Sequence, residues 1–210
     1  MKDIVVVGSS GFAQEIKWLI DRINVVTPCW NFLGYIDNNV GSDNVIGNDE
    51  YLCNYSKELY VVVAIADTDL RYGLATLYRE NKKLKFPNLI DPSVIMSTDI
   101  LTGEGNIICA GSVLTVGIEI GDFCIINLDC TIGHGAIIED FVTVNPSVNI
   151  SGNARLYKGV NMGTGSQILQ GRSVGRNTVI GAGSVVLMDI PNDCTAVGVP
   201  AKIIKDRRMQ

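Results

Sequence analysis

The sequence has 210 residues, of which 47% are hydrophobic, and a formal net charge of −5. This length allows one or two domains with a packed core, and the acidic balance argues against a general nucleic-acid-binding protein. No apolar run is long enough to cross a membrane, and the glycine-rich start does not resemble a signal peptide, so we expect a cytoplasmic protein.

The first 90 residues alternate short apolar runs with helical periodicity. The run Ile4–Val7 predicts a buried parallel strand, and the hydrophobic spacing over Phe12–Ile23 predicts an amphipathic helix. Further strands are predicted at Phe32–Ile36, Leu59–Ile65 and Phe86–Ile90, and a second helix at Asp69–Asn81. This order predicts a small α/β domain of the Rossmann-like type over residues 1–90.

Small and polar residues follow three of the predicted strands. They are Gly8–Gly11, Asp37–Asn38 and Ala66–Asp67. Ligands bind beyond the carboxyl ends of the strands in such sheets, and the helix after the glycines would offer free N–H groups to a phosphate. Asp37 is placed to accept hydrogen bonds from a ribose or a base. A tight strand-to-helix turn without a ligand is the alternative interpretation of the glycine loop.

The spacing of these glycines argues against a dinucleotide. The dinucleotide fingerprint requires G-x-G-x-x-G, whereas this loop has only G-x-x-G, and Gln14 stands where the last glycine should be. The pattern therefore favours a smaller nucleotide over NAD.

A hexapeptide repeat runs from Ile108 to Val186. Every sixth residue in this stretch is aliphatic or methionine, and the residue four places after each is mostly small, with Arg172 as the exception. A period of six fits neither an α-helix nor a two-sided sheet. It predicts a parallel β-helix, because three hexads close one triangular coil and stacked coils bury a continuous column.

The two ends of this second domain, residues 91–210, depart from the repeat. Val94 and Ile100 have the spacing of the repeat, but their series is out of register with Ile108 by two positions, which predicts a capping coil over residues 91–107. The tail from Ile190 leaves the repeat and carries a basic cluster. Its members are Lys202, Lys205, Arg207 and Arg208. The cluster indicates either a solvated helical turn or an anion site.

The cysteines and the single histidine argue against a metal centre. None of the six cysteines forms a CxxC pair, and Cys124 and Cys130 fall on inward small positions of the repeat. We interpret them as reduced packing residues of a cytosolic protein. A zinc site needs several nitrogen or sulfur ligands, which one histidine cannot supply, so we predict no metal.

His134 is the only histidine and falls at an outward-facing corner of its hexad. A lone exposed histidine is often an ordinary surface residue. Only histidine titrates near neutral pH when unperturbed, however, so His134 is also the natural candidate for a general base.

Several stretches together resemble a known family. They are Val7–Phe12, Gly34–Asp37, Ile126–His134, Ile150–Asn153, Val179–Ser184 and Val197–Lys202. In these stretches the sequence resembles the bacterial nucleotide-sugar N-acetyltransferases of the left-handed β-helix class, as in bacillosamine synthesis, and the related sialic acid O-acetyltransferases. The hexapeptides alone indicate only the superfamily, and their combination with this N-terminal domain is much more specific.

The resemblance implies substrates, assembly and site residues. The N-terminal domain would hold a sugar nucleotide, often a UDP-sugar, through Gly8, Ser10, Gly11, Phe12, Asp37, Asn38 and Ala66. The left-handed β-helix would form a homotrimer and bind acetyl-CoA in the groove between neighbouring helices, through Thr143, Gly152, Thr164, Ala182 and Lys202. His134 would be the general base, and Asn127 matches an asparagine of the family's active site.

Two positions depart from the family pattern. Members commonly carry an acidic or amide residue directly after the histidine, where this chain has Gly135. Either another group orients His134, with Asp129 and Glu139 as candidates near in sequence, or the base is weaker. One branch reads Ser-Gly-His in the nucleotide loop, where this chain has Phe12, so we expect a different contact with the sugar or nucleotide.

The resulting hypothesis is direct N-acetylation of a nucleotide-linked amino sugar, such as a 4-amino-4,6-dideoxy sugar, in glycan biosynthesis. His134 would take the proton of the attacking amine, and a backbone N–H such as that of Gly152 would stabilise the oxyanion. A sugar or sialic acid O-acetyltransferase is the first alternative, and a non-catalytic, trimeric sugar-nucleotide-binding subunit is the second. The carrier stays open among UDP, dTDP and GDP.

Overall fold

The structure is a computed structural model that describes residues 1–39 and 43–206. The chain divides into two compact units, Met1–Pro92 and Ser93–Gln210. The sequence analysis places this boundary after residue 90. Within the described ranges, no helix has the length and apolar character needed to cross a membrane.

The first unit is built on a parallel sheet. Its strands are β1 (Lys2–Val7), β2 (Trp30–Ile36), β3 (Val45–Gly47), β4 (Leu59–Val63), β5 (Leu84–Lys85) and β6 (Leu89–Ile90), and its helices are α1 (Gly11–Val26), α2 (Asp49–Cys53) and α3 (Thr68–Arg79). The sheet has the order β3-β2-β1-β4-β5, and every pairing in it is parallel. Ile4–Val7 of β1 and Val61–Val63 of β4 are almost fully buried, which is typical of a parallel sheet covered on both faces.

Most predicted elements of this unit are confirmed, with shifted ends, and one strand is wrong in its extent. Of the predicted strand Phe86–Ile90 only the end forms, as β6, and β5 lies before its predicted start. Pro87 lies between them and has no N–H to donate to a strand ladder. The strand β3 and the helix α2 escaped prediction because three and five residues are too short to show a period.

The second unit is a β-helix of two-residue strands. They are β7 (Ile95–Met96), β8 (Leu101–Thr102), β9 (Ile107–Ile108), β10 (Val113–Leu114), β11 (Glu119–Ile120), β12 (Ile125–Ile126), β13 (Thr131–Ile132), β14 (Ile137–Ile138), β15 (Thr143–Val144), β16 (Asn149–Ile150), β17 (Arg155–Leu156), β18 (Asn161–Met162), β19 (Gln167–Ile168), β20 (Ser173–Val174), β21 (Val179–Ile180) and β22 (Val185–Val186). Each coil pairs in parallel with the next, as β10 does with β13, where Val113 lies opposite Thr131. Three hexads therefore form one coil, as predicted.

The strands of successive coils form three sheets, which we call the faces of the β-helix. Face 1 is β7-β10-β13-β16-β19-β22, and face 2 is β8-β11-β14-β17-β20. Face 3 contains β9, β12, β15, β18 and β21. The corners between the faces are named by the faces that they join, so the 1–2 corner of a coil leads from face 1 to face 2.

The inward positions of the repeat form the core, as predicted. The aliphatic series from Ile108 to Val186 and the small residues before it, such as Cys124, Ala136 and Ser166, are buried, whereas Arg172 is exposed. All six cysteines are thiols outside any disulfide. Burial raises the pKa of the Cys130 thiol to about 11, which fits an inert packing residue.

One residue at every corner adopts the left-handed backbone conformation. From Gly105 to Gly183 every sixth residue has a positive φ, between 52° and 78°. Most are glycine, asparagine or aspartate, which tolerate this region best. Phe123 and Phe141 also adopt it, and their parallel rings stack with 5.5 Å between centroids. The sharp corners thus have a stricter backbone requirement than the sequence pattern suggests.

The predicted register slip at the start of the β-helix is wrong. The strands β7, β8 and β9 follow one another at the regular interval of the repeat, and β7 pairs with β10 as later coils pair. Val94 and Ile100, which suggested the slip, each lie one residue before a strand. Met96 and Thr102 instead take the positions that are inward in later coils; Met96 is half-buried and Thr102 is exposed. The threonine interrupts the aliphatic pattern.

The tail leaves the repeat, as predicted, and ends as a strand. β23 (Cys194–Val197) pairs in parallel with β21, and Val179 lies opposite Thr195. Fewer residues separate this pair along the chain than separate paired residues on successive coils of the repeat. β24 (Lys202–Asp206) then pairs antiparallel with β23, so the helical-turn interpretation of the basic cluster is wrong for Lys202 and Lys205. Arg207 and Arg208 lie outside the described residues.

Candidate active site

The residues predicted to bind a sugar nucleotide lie at one edge of the sheet in the first unit. Gly8, Ser10, Gly11 and Phe12 follow β1, Asp37 and Asn38 follow β2, and Ala66 follows β4. These three strands are neighbours in the order β2-β1-β4, and the carboxyl ends of parallel strands meet at the same edge. The structure therefore brings the seven residues to one edge.

The loop after β1 leaves the start of α1 open. Gly8 has φ 98°, and a Cβ there would lie 3.2 Å from the carbonyl oxygen of Ala64. Ser10 is the N-cap of α1, its side chain makes no capping hydrogen bond, and the first turn contains no acidic residue. A Cβ on Gly11 would meet no atom within 4 Å. Free N–H groups and the positive end of the helix dipole make this position suitable for an anion.

Asp37 is held ionised by hydrogen bonds at this edge. The Ser9 hydroxyl donates to Oδ2 of Asp37 over 2.7 Å, and the Asn39 N–H donates to Oδ1 over 3.1 Å. The bond from Ser9, followed by that from Asn39, lowers the pKa of Asp37 below its ordinary value. An ionised carboxylate can accept hydrogen bonds from ribose hydroxyls. The sequence analysis missed Ser9, although a hydroxyl inside the glycine loop was a visible signal.

Arg71 organises the loop after β4. Its side chain is buried, and Nη1 donates to the carbonyl oxygens of Ile65 over 2.7 Å and of Ala66 over 3.1 Å. The guanidinium thus fixes the backbone at Ala66 and adds positive charge near the edge where an anion would bind. Nothing in the sequence pattern distinguishes Arg71 from a surface arginine of α3.

A cavity of about 560 Å³ opens beside the glycine loop. Ser9, Gln14, Trp18 and Tyr35 are among its lining residues. This volume lies within the range of small-molecule sites. Aromatic and polar groups therefore flank the edge that carries Asp37.

We expect Ser9→Ala to raise the pKa of Asp37 toward its ordinary value, because the strongest hydrogen bond to the carboxylate is lost. A lowered pKa of Asp37 stabilises the folded unit at pH values above the ordinary carboxyl pKa. This stabilisation is lost as the pH falls through the folded-state pKa. In the variant the stabilisation should therefore be smaller, and its loss should be complete at a higher pH. Carboxyl ¹³C NMR titration measures the shift, with Ser10→Ala as the control. An unchanged Asp37 titration curve in Ser9→Ala would contradict the assignment.

His134 lies exposed at the 1–2 corner between β13 and β14. Gly152 occupies the same corner on the next coil, and the imidazole packs on its Cα. A Cβ built on Gly152 would lie 2.6 Å from Cε1 and 2.9 Å from Cδ2 of His134. The carbonyl oxygen of His134 accepts a hydrogen bond from the N–H of Asn153 over 2.7 Å. The next coil therefore holds both the backbone and the ring of His134.

Neither sequence candidate for orienting His134 contacts it within the chain. Asp129 lies at the 3–1 corner, and Glu139 lies at the 2–3 corner. Oε1 of Glu139 accepts a hydrogen bond from Nη2 of Arg155 over 2.6 Å. Neither residue shares a corner with His134, because the chain passes from one corner to the next within a few residues. In the described ranges, no side chain forms a hydrogen bond with the imidazole.

The residues predicted for the β-helix site fall at two different corners. His134 and Gly152 share the 1–2 corner. Asn127 lies at the preceding 3–1 corner, where Oδ1 accepts a hydrogen bond from the N–H of Leu128 over 2.7 Å. Thr164 and Ala182 are exposed at the same 3–1 corner on later coils. Within one chain, His134 and Asn127 therefore lie at different corners.

The two remaining predicted residues lie on face 3. Thr143 is buried in β15, and Lys202 is exposed at the start of β24. Face 3 and the 3–1 corner thus hold four of the five residues predicted to bind acetyl-CoA.

Apolar side chains are exposed along the 1–2 corner. The exposed fractions are 53% for Val116, 45% for Leu169, 38% for Leu187 and 67% for Met188. We call these four residues the apolar corner. Leu169, Leu187 and Met188 lie on two neighbouring coils, whereas Val116 lies three coils before Leu169. An exposed apolar patch on neighbouring coils marks an interaction site more often than a single exposed residue does.

Comparison with known proteins begins with sequence. The chain matches no protein-family model. The serine acetyltransferase of Synechococcus elongatus is 35% identical over 107 residues, which is 43% of this chain and 44% of that protein. The serine acetyltransferase of Buchnera aphidicola is 43% identical over 82 residues, 35% of this chain and 30% of that protein. The chain thus matches less than half the length of these curated relatives.

Solved structures are similar over nearly the whole chain. The acetyltransferase domain of PglB from Neisseria gonorrhoeae has a TM-score of 0.88 and 26% identity, covering 97% of this chain and 100% of that one. It has also been solved with acetyl coenzyme A. A mutant of perosamine N-acetyltransferase from Caulobacter crescentus, in complex with CoA and GDP-perosamine, has a TM-score of 0.86 and 27% identity, covering 98% of both chains.

These similarities confirm the resemblance predicted from the sequence. The stacked parallel sheets of the second unit, together with these similar structures, fit a left-handed β-helix.

Proposed function

We propose that this chain, an acetyltransferase of the hexapeptide-repeat class that uses acetyl-CoA, acetylates the amine of a nucleotide-linked amino sugar. One observation carries the proposal. The similarity to a sugar N-acetyltransferase solved with CoA and GDP-perosamine extends over 98% of the chain, so it includes both the Asp37 edge and the His134 corner.

The first unit would bind the nucleotide part of the acceptor. The N–H groups at Ser10, Gly11 and Phe12 suit a phosphate because the start of α1 is open and free of acidic side chains. The ionised Asp37 would accept hydrogen bonds from the ribose or base, while Asn38 and Ala66 border the same edge. Gly8 keeps the loop close to the sheet, so the phosphate can approach the backbone.

The reaction is direct acyl transfer without a covalent enzyme intermediate. The amine of the sugar attacks the thioester carbon, and His134 accepts the proton that the nitrogen loses as the tetrahedral intermediate forms. The intermediate then collapses with cleavage of the C–S bond, and the imidazolium of His134 returns the proton to the CoA thiolate. The N–H of Gly152 would stabilise the oxyanion.

Two features favour a homotrimer with the acetyl-CoA site between chains. The residues implied for acetyl-CoA lie mainly on face 3 and at the 3–1 corner, whereas His134 lies at the 1–2 corner. Packing of one copy's 1–2 corner against another copy's 3–1 corner would unite His134 with Asn127, Thr164 and Ala182. It would also cover the apolar corner, for which a single chain offers no cover.

The site favours an amine over a hydroxyl as acceptor. A hydroxyl is the poorer nucleophile and depends more on a strong base. Within the described residues, the imidazole of His134 has no side-chain hydrogen bond that would strengthen it. O-acetylation of a sugar or of sialic acid is therefore the second choice.

Six cysteines outside any disulfide fit a reducing compartment, and we place the reaction in the cytoplasm. An N-acetylated sugar that remains on its nucleotide carrier is an activated donor for glycosyl transfer. The product would therefore serve glycan biosynthesis.

CoA release from acetyl-CoA against an acceptor panel tests the proposal. The panel contains UDP-, dTDP- and GDP-linked amino sugars and free sialic acid. We expect turnover with one nucleotide-linked amino sugar, which also identifies the carrier. Turnover with sialic acid alone would assign the chain to O-acetylation. A folded protein that binds a sugar nucleotide but releases no CoA would be a non-catalytic binding subunit, and the proposal would be wrong.

A further inference from the structure

Gly152 differs from Gly133 and Gly163 in which atoms lie where a side chain would be. At Gly133 and Gly163 the nearest atoms to a built Cβ include backbone nitrogens of the next coil, each at 2.6 Å. At Gly152 the three nearest atoms are Nε2, Cε1 and Cδ2 of His134. The space above Gly152 is therefore occupied by the imidazole and not by the backbone.

The backbone of Gly152 does not itself require glycine. Its φ lies outside the left-handed region, whereas that of Gly135 is 63°. An alanine at 152 would therefore be compatible with the local backbone conformation, and its three nearest contacts would be with the ring of His134. Because this ring is the end of a side chain at an exposed corner, it would rotate to a different rotamer.

We propose that Gly152 is a positioning residue for His134, because its bare Cα is the surface that fixes the plane of the imidazole. This inference rests on the proposed role of His134 as the base and assigns to Gly152 a steric role beyond its backbone N–H. Asn153 fixes the backbone carbonyl of His134 over 2.7 Å, and Gly152 fixes the ring. The packing contact supplies the orientation that a neighbouring carboxylate would otherwise provide.

The ring geometry can be observed without any reaction. His134 is the only histidine, so labelled histidine gives a single set of ring signals. We expect nuclear Overhauser effects between these ring protons and the α-protons of Gly152. In Gly152→Ala we expect the ring contacts to residue 152 to weaken and contacts to other neighbours to appear. Unchanged ring contacts in the variant would overturn the proposal.

Kinetics then test whether this orientation matters. We expect Gly152→Ala to lower kcat by about 10–100-fold, the range for a misplaced reactive group, and to change KM for acetyl-CoA by less than about twofold. A rise in KM alone, or a full kcat with a displaced ring, would overturn the proposal. The matched control is Gly171→Asn. Gly171 lies at the next coil of this corner with φ 67° and nothing within 4 Å of its Cβ position, and Asn153 already occupies the equivalent position one coil earlier.

A double-mutant comparison isolates the contact from every other effect of the methyl group. We expect Gly152→Ala to lower the Tm of the wild-type chain, and to leave the Tm of the His134→Ala chain unchanged because the imidazole is absent. Equal losses in both backgrounds would overturn the steric assignment. Both the Tm comparison and the ring contacts apply even if no acceptor is acetylated, so a failure of the proposed function stays distinguishable from a failure of this inference.

Discussion

We expect His134→Ala to lower kcat by about 10²–10⁴-fold, the usual contribution of a positioned general base. His134 is the only histidine, so no second imidazole can take its place. The side chain is exposed at a corner and makes no side-chain hydrogen bond within the described ranges, and we therefore expect the fold to be unaffected. Steady-state kinetics with both substrates measures the loss, and circular dichroism checks the fold.

A rescue experiment makes this test specific. Added imidazole should restore part of the rate. Gln167→Ala, which removes an exposed side chain from face 1, serves as the control. Turnover near the wild-type rate in His134→Ala would remove His134 from the mechanism.

Ile168→Ala destabilises the β-helix by about 2–5 kcal/mol, the range for truncation of a buried isoleucine. Ile168 is fully buried and stacks between Ile150 and Val186 on the neighbouring coils of face 1. Removal of its branched side chain leaves a cavity in a column whose neighbours are fixed by the strand ladders. The free energy of unfolding, from denaturant titration followed by circular dichroism, measures the effect.

The neighbouring residue of the same strand provides the matched control. Gln167 points outward and is exposed, so Gln167→Ala should change the free energy of unfolding by less than about 0.5 kcal/mol. The two variants thus test whether the side chain of Ile168 points into the core while that of its neighbour Gln167 points to the surface. Similar losses for the two variants would contradict the packed column.

The β-helix could be predicted from the sequence because the residues of its core recur with a strict period of six. Each coil buries the same two positions of every hexad, so Ile108 and its successors identify the fold without any knowledge of contacts. The prediction failed at Met96 and Thr102, where the first coil has fewer neighbours and these positions tolerate less aliphatic residues. The period also did not indicate that Phe123 and Phe141 would adopt a left-handed conformation.

The site was only partly predictable. Asp37 and the glycine loop could be inferred because strand ends in a parallel sheet share one edge. Asp129 and Glu139 lie at other corners of the chain than His134, because a few residues of sequence separation are enough to reach the next corner. Gly152 stacks on His134 because it lies one full coil further along the chain. That contact could have been inferred from the repeat, whereas the carbonyl contacts of Arg71 required the structure.

The most direct test of the account is the identity of the acetylated product. Acetyl-CoA and the nucleotide-linked amino sugar accepted in the panel would be incubated with the wild-type chain, and the product analysed by NMR. The account predicts an amide at the former amine, with the nucleotide still attached and CoA released in equal amount. An ester at a sugar hydroxyl, or CoA release without an acetylated sugar nucleotide, would contradict it.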